Sequence, residues 1–175
     1  VDWPMMIFDL ETDGFLAKCT TIHCLTVYDT EKEQLLTYND EGGDKEPIVR
    51  GIQLLADAEE ICGHNIIGFD IPVIKKFYPW FESKFSVDTL LLSRLYHPNM
   101  MELDKKHKWR NMPLQLYGRH SLESYGYRLG EYKGDFGKTC DWKCWSQDMQ
   151  DYCEQDVIVT NKLWKHFQPY LNGSR

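Results

Sequence analysis

Asp9 and Glu11 stand two residues apart at the end of an apolar run over residues 5–10. In an extended strand, side chains at i and i+2 point to the same face, so these two carboxylates would be aimed together. Burying two acids side by side is costly unless a cation or another partner compensates. Asp70 ends the segment Gly63-His64-Asn65-Ile66-Ile67-Gly68-Phe69 and falls near the start of a helical pattern. Tyr152 and Asp156 are four residues apart in a helical stretch and therefore share a face, with Asp156 leading into Val157, Ile158 and Val159. Each piece also has an ordinary structural explanation. Strand ends carry acids in solvent, Asp70 suits the positive end of a helix dipole, and a solvated Asp near a half-buried Tyr is common. Asp88, at a further strand–helix junction, is a rival carboxylate.

The elements that would position these groups follow from periodicity and punctuation. Strands are expected over residues 5–10, 20–29 and 34–39, the last two joined by the charged turn 29–33, and over 59–63. A helix over 47–58 has Pro47 in its first turn and apolar residues at Ile48, Ile52, Leu55 and Ala56. A second helix is expected over 69–77, and a strand–helix pair over 85–96 with Asp88 at the junction. Residues 97–116 are polar and irregular, with Pro98, Pro113 and a basic run over 105–110, and read as a surface excursion. A helix over 121–129 should stop at Gly130. After a loop over 131–145, Ser146 caps a last helix running to about residue 167, before Pro169. Opening strands followed by alternating strands and helices predict a mixed sheet with helices packed against it.

The chain has 175 residues, which suits one domain spanning 1–175. Hydrophobic residues make up 42% and charged residues 27%, a balance that argues against disorder. No apolar run is long enough to cross a bilayer, and no secretory signal is visible at the start, so a cytoplasmic location is expected. The six cysteines are read as reduced thiols. Cys140 and Cys144 resemble half a zinc site, but no second closely spaced pair completes it. A net charge of −7 argues against a tight duplex clamp, since such proteins are usually basic. It argues less against an enzyme that holds only a strand end, because clustered cation-binding carboxylates themselves lower the charge.

Three motifs occur in one order: Phe8-Asp9-x-Glu11-Thr12, Asn65-x4-Asp70 and Tyr152-x3-Asp156. Together they resemble the exonuclease motifs of the DEDD (DnaQ-like) superfamily, and Tyr152 places the chain with the DEDDy branch. Ile22-His23-Cys24, Asp88-Thr89-Leu90 and the stretch from His120 to Gly134 extend the resemblance to the proofreading domains of short-tailed-phage family A DNA polymerases. Asn65 stands one residue farther from Asp70 than in bacterial repair polymerases of the superfamily.

The resemblance implies an α/β, ribonuclease H-like mixed sheet flanked by helices. It also implies two-metal hydrolysis of phosphodiesters from the 3′ end, with Asp9, Glu11, Asp70 and Asp156 holding two Mg2+ or Mn2+ ions. In that pattern Asp9 bridges both ions, Glu11 and Asp156 complete the first site, Asp70 supports the second, and Tyr152 orients the attacking water. Leu10, Thr12, Asp13, Phe15, Asn65 and Phe69 are the residues expected around the terminal nucleotide. Phe15 or Phe69 could stack on its base, with core packing the favoured role for Phe69. The basic run 105–110 could guide the strand, with Trp109 as a platform, or be a solvated loop. The expected substrate is DNA, chiefly single-stranded 3′ ends, and the expected products are nucleoside 5′-monophosphates. RNA trimming and a non-catalytic binding domain with a relic site are the alternatives. A polymerase or replication partner and a phage origin, acting in host cytoplasm, also fit, either as a separate protein or as an excised domain.

Overall fold

The computed structural model describes residues 4–131 and 141–173. The expected loop over 131–145, the Cys140 half of the possible zinc pair, the end of the His120–Gly134 stretch and both extreme termini lie wholly or partly outside the described residues.

Five strands form one sheet: β1 (Met6–Thr12), β2 (Ile22–Asp29), β3 (Gln34–Asn39), β4 (Ile61–Gly63) and β5 (Ser86–Asp88), in the order β3-β2-β1-β4-β5. β1 is antiparallel to β2 and parallel to β4, and β4 is parallel to β5. The carboxyl ends of β1, β4 and β5 therefore share one edge, where open α/β sheets commonly place their ligands. The described helices are α1 (Ile48–Asp57), α2 (Ile71–Phe77), α3 (Thr89–Tyr96), α4 (Met100–His107), α5 (Leu122–Arg128) and α6 (Gln147–Leu171).

Helices cover both faces, and β1 alternates between them. Phe8 and Leu10 pack with Leu25, Val27 and Ile61 against Ile48, Ile52 and Leu55 of α1 and Val73 and Ile74 of α2. Ile7 points the other way and packs with Met5, Cys62 and Val157 and Trp164 of α6. Period-two alternation then puts Asp9 and Glu11 on the α6 face, continuing the row begun by Ile7. A bulge between Glu11 and Thr12 ends regular pairing with β2 just past the second acid. Gly63, at the end of β4, admits no side chain. A Cβ there would lie 2.9 Å from the Phe8 carbonyl oxygen and 2.3 Å from Ile66 Cγ2.

Most expected elements form within two or three residues of their anticipated ends. β2 starts two residues later than expected because Thr20 and Thr21 are engaged elsewhere: their backbone N–H groups donate to Asp13 Oδ1 at 2.8 and 3.2 Å. Two expectations need correction. Residues 97–116 are not simply irregular, since α4 forms within them, followed by a 3-10 turn at Leu114–Leu116. The helix was hidden because one of its inward residues is a charge. Asp104 is fully buried and forms an ion pair with Arg128 of α5 at 2.7 Å. The last helix also does not stop before Pro169 but runs to Leu171 with the proline inside its final turns. One backbone bond is lost there, while Phe167 is fully buried and Tyr170 packs against Tyr96 and His97. Gly130 follows α5, as its sequence predicts.

Candidate active site

Three segments converge at the carboxyl edge of the sheet. β1 supplies Asp9 and Glu11, the segment after β4 supplies Asp70, and α6 supplies Asp156, with Tyr152 one helical turn before it. Between β4 and α2 the chain makes a five-residue π turn, Ile66–Asp70, closed by Ile71 N–H donating to the Ile66 carbonyl. Such turns are rare and concentrate at functional positions. An i→i+5 turn takes up one residue more than an α turn, matching the longer Asn65–Asp70 spacing. The turn is braced from β5: Asp88 accepts from Asn65 N–H (2.8 Å), Ile67 N–H (3.1 Å) and, as the cap of α3, Leu90 N–H (2.9 Å). Asp88 is thus buried and structurally engaged, holding the segment that presents Asp70.

Asp70 is 3% exposed, and its side chain caps no helix. Asp70 does stand at the N-cap position of α2, so the helix dipole and the carboxylate cluster both act on it. Its Oδ2 is buried with no hydrogen-bond partner among the described residues. Burial and then the Asp88 carboxylate push the Asp70 carboxyl well above the usual range, against hydrogen bonds involving Asp9 and the Leu10 backbone. Asp9 is pushed well up too, first by burial and then by Asp156, Glu11 and Asp70. Asp156 is itself buried and hydrogen-bonded to Asp9 through their side chains. Crowded, poorly solvated carboxyls with raised pKa values are the arrangement that divalent cations relieve. The oxygen donors fit hard ions such as Mg2+ and Mn2+.

Cys153 belongs to the same cluster and carried no signal in the sequence. It is buried, and its Sγ lies 3.4 Å from the Asp9 carbonyl oxygen and 3.9 Å from Asp9 Oδ2. Ligand atoms of Asp9, Glu11 and Cys153 all lie within 4.8 Å of one another. Burial pushes the thiol well above its ordinary range, with Cys24, Asp9 and Glu11 adding to the shift. Cys153 thus serves as a neutral donor beneath Asp9. Cys19, Cys24, Cys62, Cys144 and Cys153 are free thiols.

Beside the carboxylates lies a cavity of about 430 Å³ whose lining includes every residue expected around a terminal nucleotide: Leu10, Thr12, Asp13, Phe15, Asn65 and Phe69. Phe15 is 85% exposed, unusual for a side chain with a core alternative. Phe69 both borders the cavity and packs against the core. The Asp13 carboxylate is committed to Thr20 and Thr21, and the Thr20 hydroxyl holds it below its usual range. Trp142 completes the wall and was not anticipated. It is placed through its carbonyl oxygen, 2.8 Å from His23 Nε2, a long-range contact that no local spacing signals. Trp109, by contrast, stacks on His107 at 3.4 Å between ring centroids and donates its indole N–H to Asp104. It lines a separate cavity with His97 and His166, so the expected platform is not at this site.

A mixed sheet sandwiched by helices, with a carboxylate cluster at the ends of its parallel strands, defines a ribonuclease H-like protein. The family model of the RNase H superfamily matches residues 6–168, and the chain belongs to that superfamily. It is 29% identical to the DNA-directed DNA polymerases of Escherichia phage T7 and Enterobacteria phage T3, over 94% of its own length. The chain spans 27% of the length of those relatives. Among solved structures it resembles an apo nuclease (TM-score 0.66, 17% identity, 97% of this chain and 74% of that one). It also resembles E. coli exonuclease I in complex with a dT13 oligonucleotide (TM-score 0.62, 16% identity, 99% of this chain and 43% of that one).

Proposed function

We propose that the chain is a metal-dependent 3′–5′ exonuclease that shortens DNA, preferentially at single-stranded 3′ ends, releasing nucleoside 5′-monophosphates. The observation that carries this reading is the convergence of Asp9, Glu11, Asp70 and Asp156 beside a cavity that exposes Phe15. The polymerases and the oligonucleotide-bound exonuclease among its relatives support DNA as the substrate. Among the described residues no helix is long and apolar enough to cross a membrane. The phage relatives support action in a host cytoplasm, alongside or as part of a replication polymerase.

In this mechanism the terminal base stacks on Phe15 and Trp142, and backbone groups of Leu10 and Thr12 face its sugar. Asn65 borders the opposite side. Asp9, Glu11, Asp70 and Asp156 would hold two Mg2+ or Mn2+ ions. When bound, such ions acidify water and stabilise both the attacking and leaving oxygens of an in-line displacement. Tyr152 orients the attacking water; an ordinary phenol, with a pKa near ~10, is too weak a base to take its proton at neutral pH. The water oxygen bonds to phosphorus as its proton passes to solvent, the bond to the 3′ oxygen breaks, and that oxygen takes a proton from solvent, so the shortened strand leaves with a new 3′-hydroxyl.

The test is a 5′-labelled single strand incubated with Mg2+ or Mn2+. Progressive shortening from the 3′ end is expected, with at least about 100-fold loss in Asp9→Ala and roughly 10- to 100-fold loss in Tyr152→Phe. Full activity in Asp9→Ala would refute the site. Faster cleavage of RNA than of DNA of the same sequence would reassign the substrate. Strand binding without hydrolysis by either metal would leave a binding domain with a relic site.

A further inference from the structure

A second cavity, of about 530 Å³, opens along the same edge of the sheet, and Asn65 borders both. The two share Asn65 as a common wall. The first lies at the end of β1. The second lies past the ends of β4 and β5, between His64 and Asn65 on one side and Leu90, Arg94 and residues 118–122 on the other.

The second chamber inverts the charge of the molecule. The chain carries 27 acids against 20 Lys and Arg, yet among the described residues no Asp or Glu lines this cavity, whereas Glu11 and Asp13 line its neighbour. Arg94 and Arg119 are exposed on its walls. His120 is held below its usual range by burial and by Arg128 and Arg94, so at neutral pH the two arginines supply the positive charge. Guanidinium groups match the planar, bidentate geometry of phosphate oxygens.

The wall that carries Arg119 is fixed from beneath. Buried Asp104 accepts from Gly118 N–H (2.8 Å) and from Arg128, whose Nη2 also donates to the Arg119 carbonyl (2.7 Å). Gly118 has φ +78°, and a Cβ there would lie 2.9 Å from Met101 Cε, so this close turn against α4 requires glycine. His64 Nε2 lies 2.8 Å from the His120 carbonyl oxygen, tying the turn to the end of β4. Arg119 Nε donates to the Gln115 carbonyl (3.0 Å), which steadies the base of the guanidinium while the residue stays exposed.

We propose that this chamber is a phosphodiester-binding subsite for the strand upstream of the terminal nucleotide, with Arg94 and Arg119 as positioning residues. The inference rests on the exonuclease reading and adds the strand's path: from the Phe15 chamber, past Asn65, toward α3 and the turn at Arg119.

The experiment compares two substrates with the full chain and Mn2+. The p-nitrophenyl ester of thymidine 5′-monophosphate reaches only the first chamber; a long oligothymidylate reaches both. The Arg94→Ala/Arg119→Ala double variant should hydrolyse the ester like the unsubstituted chain and lose about tenfold in kcat/KM on the long strand, mainly through KM. Its binding of labelled oligothymidylate should also show a salt slope shallower by about 0.7 for each phosphate that is no longer neutralised. Lysine at both positions should restore most of the slope. Unchanged kinetics and slope in the double variant would overturn the subsite and leave the exonuclease reading intact. Equal losses on both substrates would also overturn it, by marking a general defect. No hydrolysis of either substrate by the unsubstituted chain would overturn the exonuclease reading and the subsite with it.

Discussion

Asp9 and Asp70 are carboxyls whose surroundings oppose their charge, so they should weaken the metal-free fold and strengthen the metal-bound one. Both folded-state pKa values are raised above the ordinary 3.8, with burial the largest cause. Stability from groups shifted this way is fully present below the unfolded pKa and is lost as pH rises through the raised values. At neutral pH, metal-free Asp9→Asn should therefore melt at or above the temperature of the unsubstituted chain. Saturating Mg2+ or Mn2+ should stabilise the unsubstituted chain by about 2.7 kcal/mol at 100 times Kd, at about 2–4 °C per kcal/mol, and Asp9→Asn far less. Thermal melts with and without metal check this, and a lower metal-free midpoint for Asp9→Asn would count against it. At this scale the sequence was legible where chemistry lay along one element. The i, i+2 spacing of Asp9 and Glu11 and the i, i+4 spacing of Tyr152 and Asp156 are local. Cys153 and Trp142 were illegible because only the docking of α6 on β1 and of Trp142 on His23 brings them to the site.

Among elements, α4 marks the limit of pattern reading. Its inward side chains include Met100 and Asp104, and a buried carboxylate interrupts any apolar period. Its explanation lies on α5: Arg128 donates Nε and Nη2 to the two Asp104 oxygens at 2.9 and 2.7 Å. Burial alone would raise the Asp104 carboxyl, but Arg128, Gly118 N–H and the Trp109 indole together hold it below the usual range. Replacing Arg128 by Ala strands a buried charge and should cost about 3–5 kcal/mol. Chemical denaturation measures that loss; a change under about 1 kcal/mol would show that the pair is not essential to the fold. Pro169 misled for a related reason, since Phe167 and Tyr170 hold the helix beyond it by packing against α3 and its C-terminal end. By contrast β3 and the β5–α3 junction formed where composition and capping placed them, because their signals are local.

For the molecule as a whole, the packing of α6 on the end of α3 should contribute a loss of stability in mild acid, opposite in sign to the gain from Asp9 and Asp70. His97 and His166 face each other with Nε2 atoms 2.8 Å apart, among the rings of Phe167 and Tyr170. Burial, then His166, His120 and Arg128, lower the His97 pKa to about 4. A depressed folded pKa means that its stabilisation is present above the unfolded value near ~6.5 and is lost as pH falls toward 4. Across that window the denaturation midpoint of the unsubstituted chain should fall relative to that of His97→Asn. An unchanged slope in the variant would assign the acid sensitivity elsewhere. The sheet and its flanking helices were readable from the alternation of strands and helices along the chain. The groove along its edge was not, because its walls come from segments far apart in sequence.

The alternation of β1 also sets where this chain can tolerate changes in length. Residues of one parity reach the helix α6, and those of the other reach the oily layer under α1 and α2. A single inserted or deleted residue early in β1 would reverse that parity and drive Asp9 and Glu11 into hydrocarbon while turning Phe8 and Leu10 toward the groove. The exposed turn at Gly42 and Gly43 imposes no such parity, with no atom of the described residues within 4 Å of a Cβ added at either position. Drift in chain length is therefore open to the loop between β3 and α1 and closed to the strand that carries the acids.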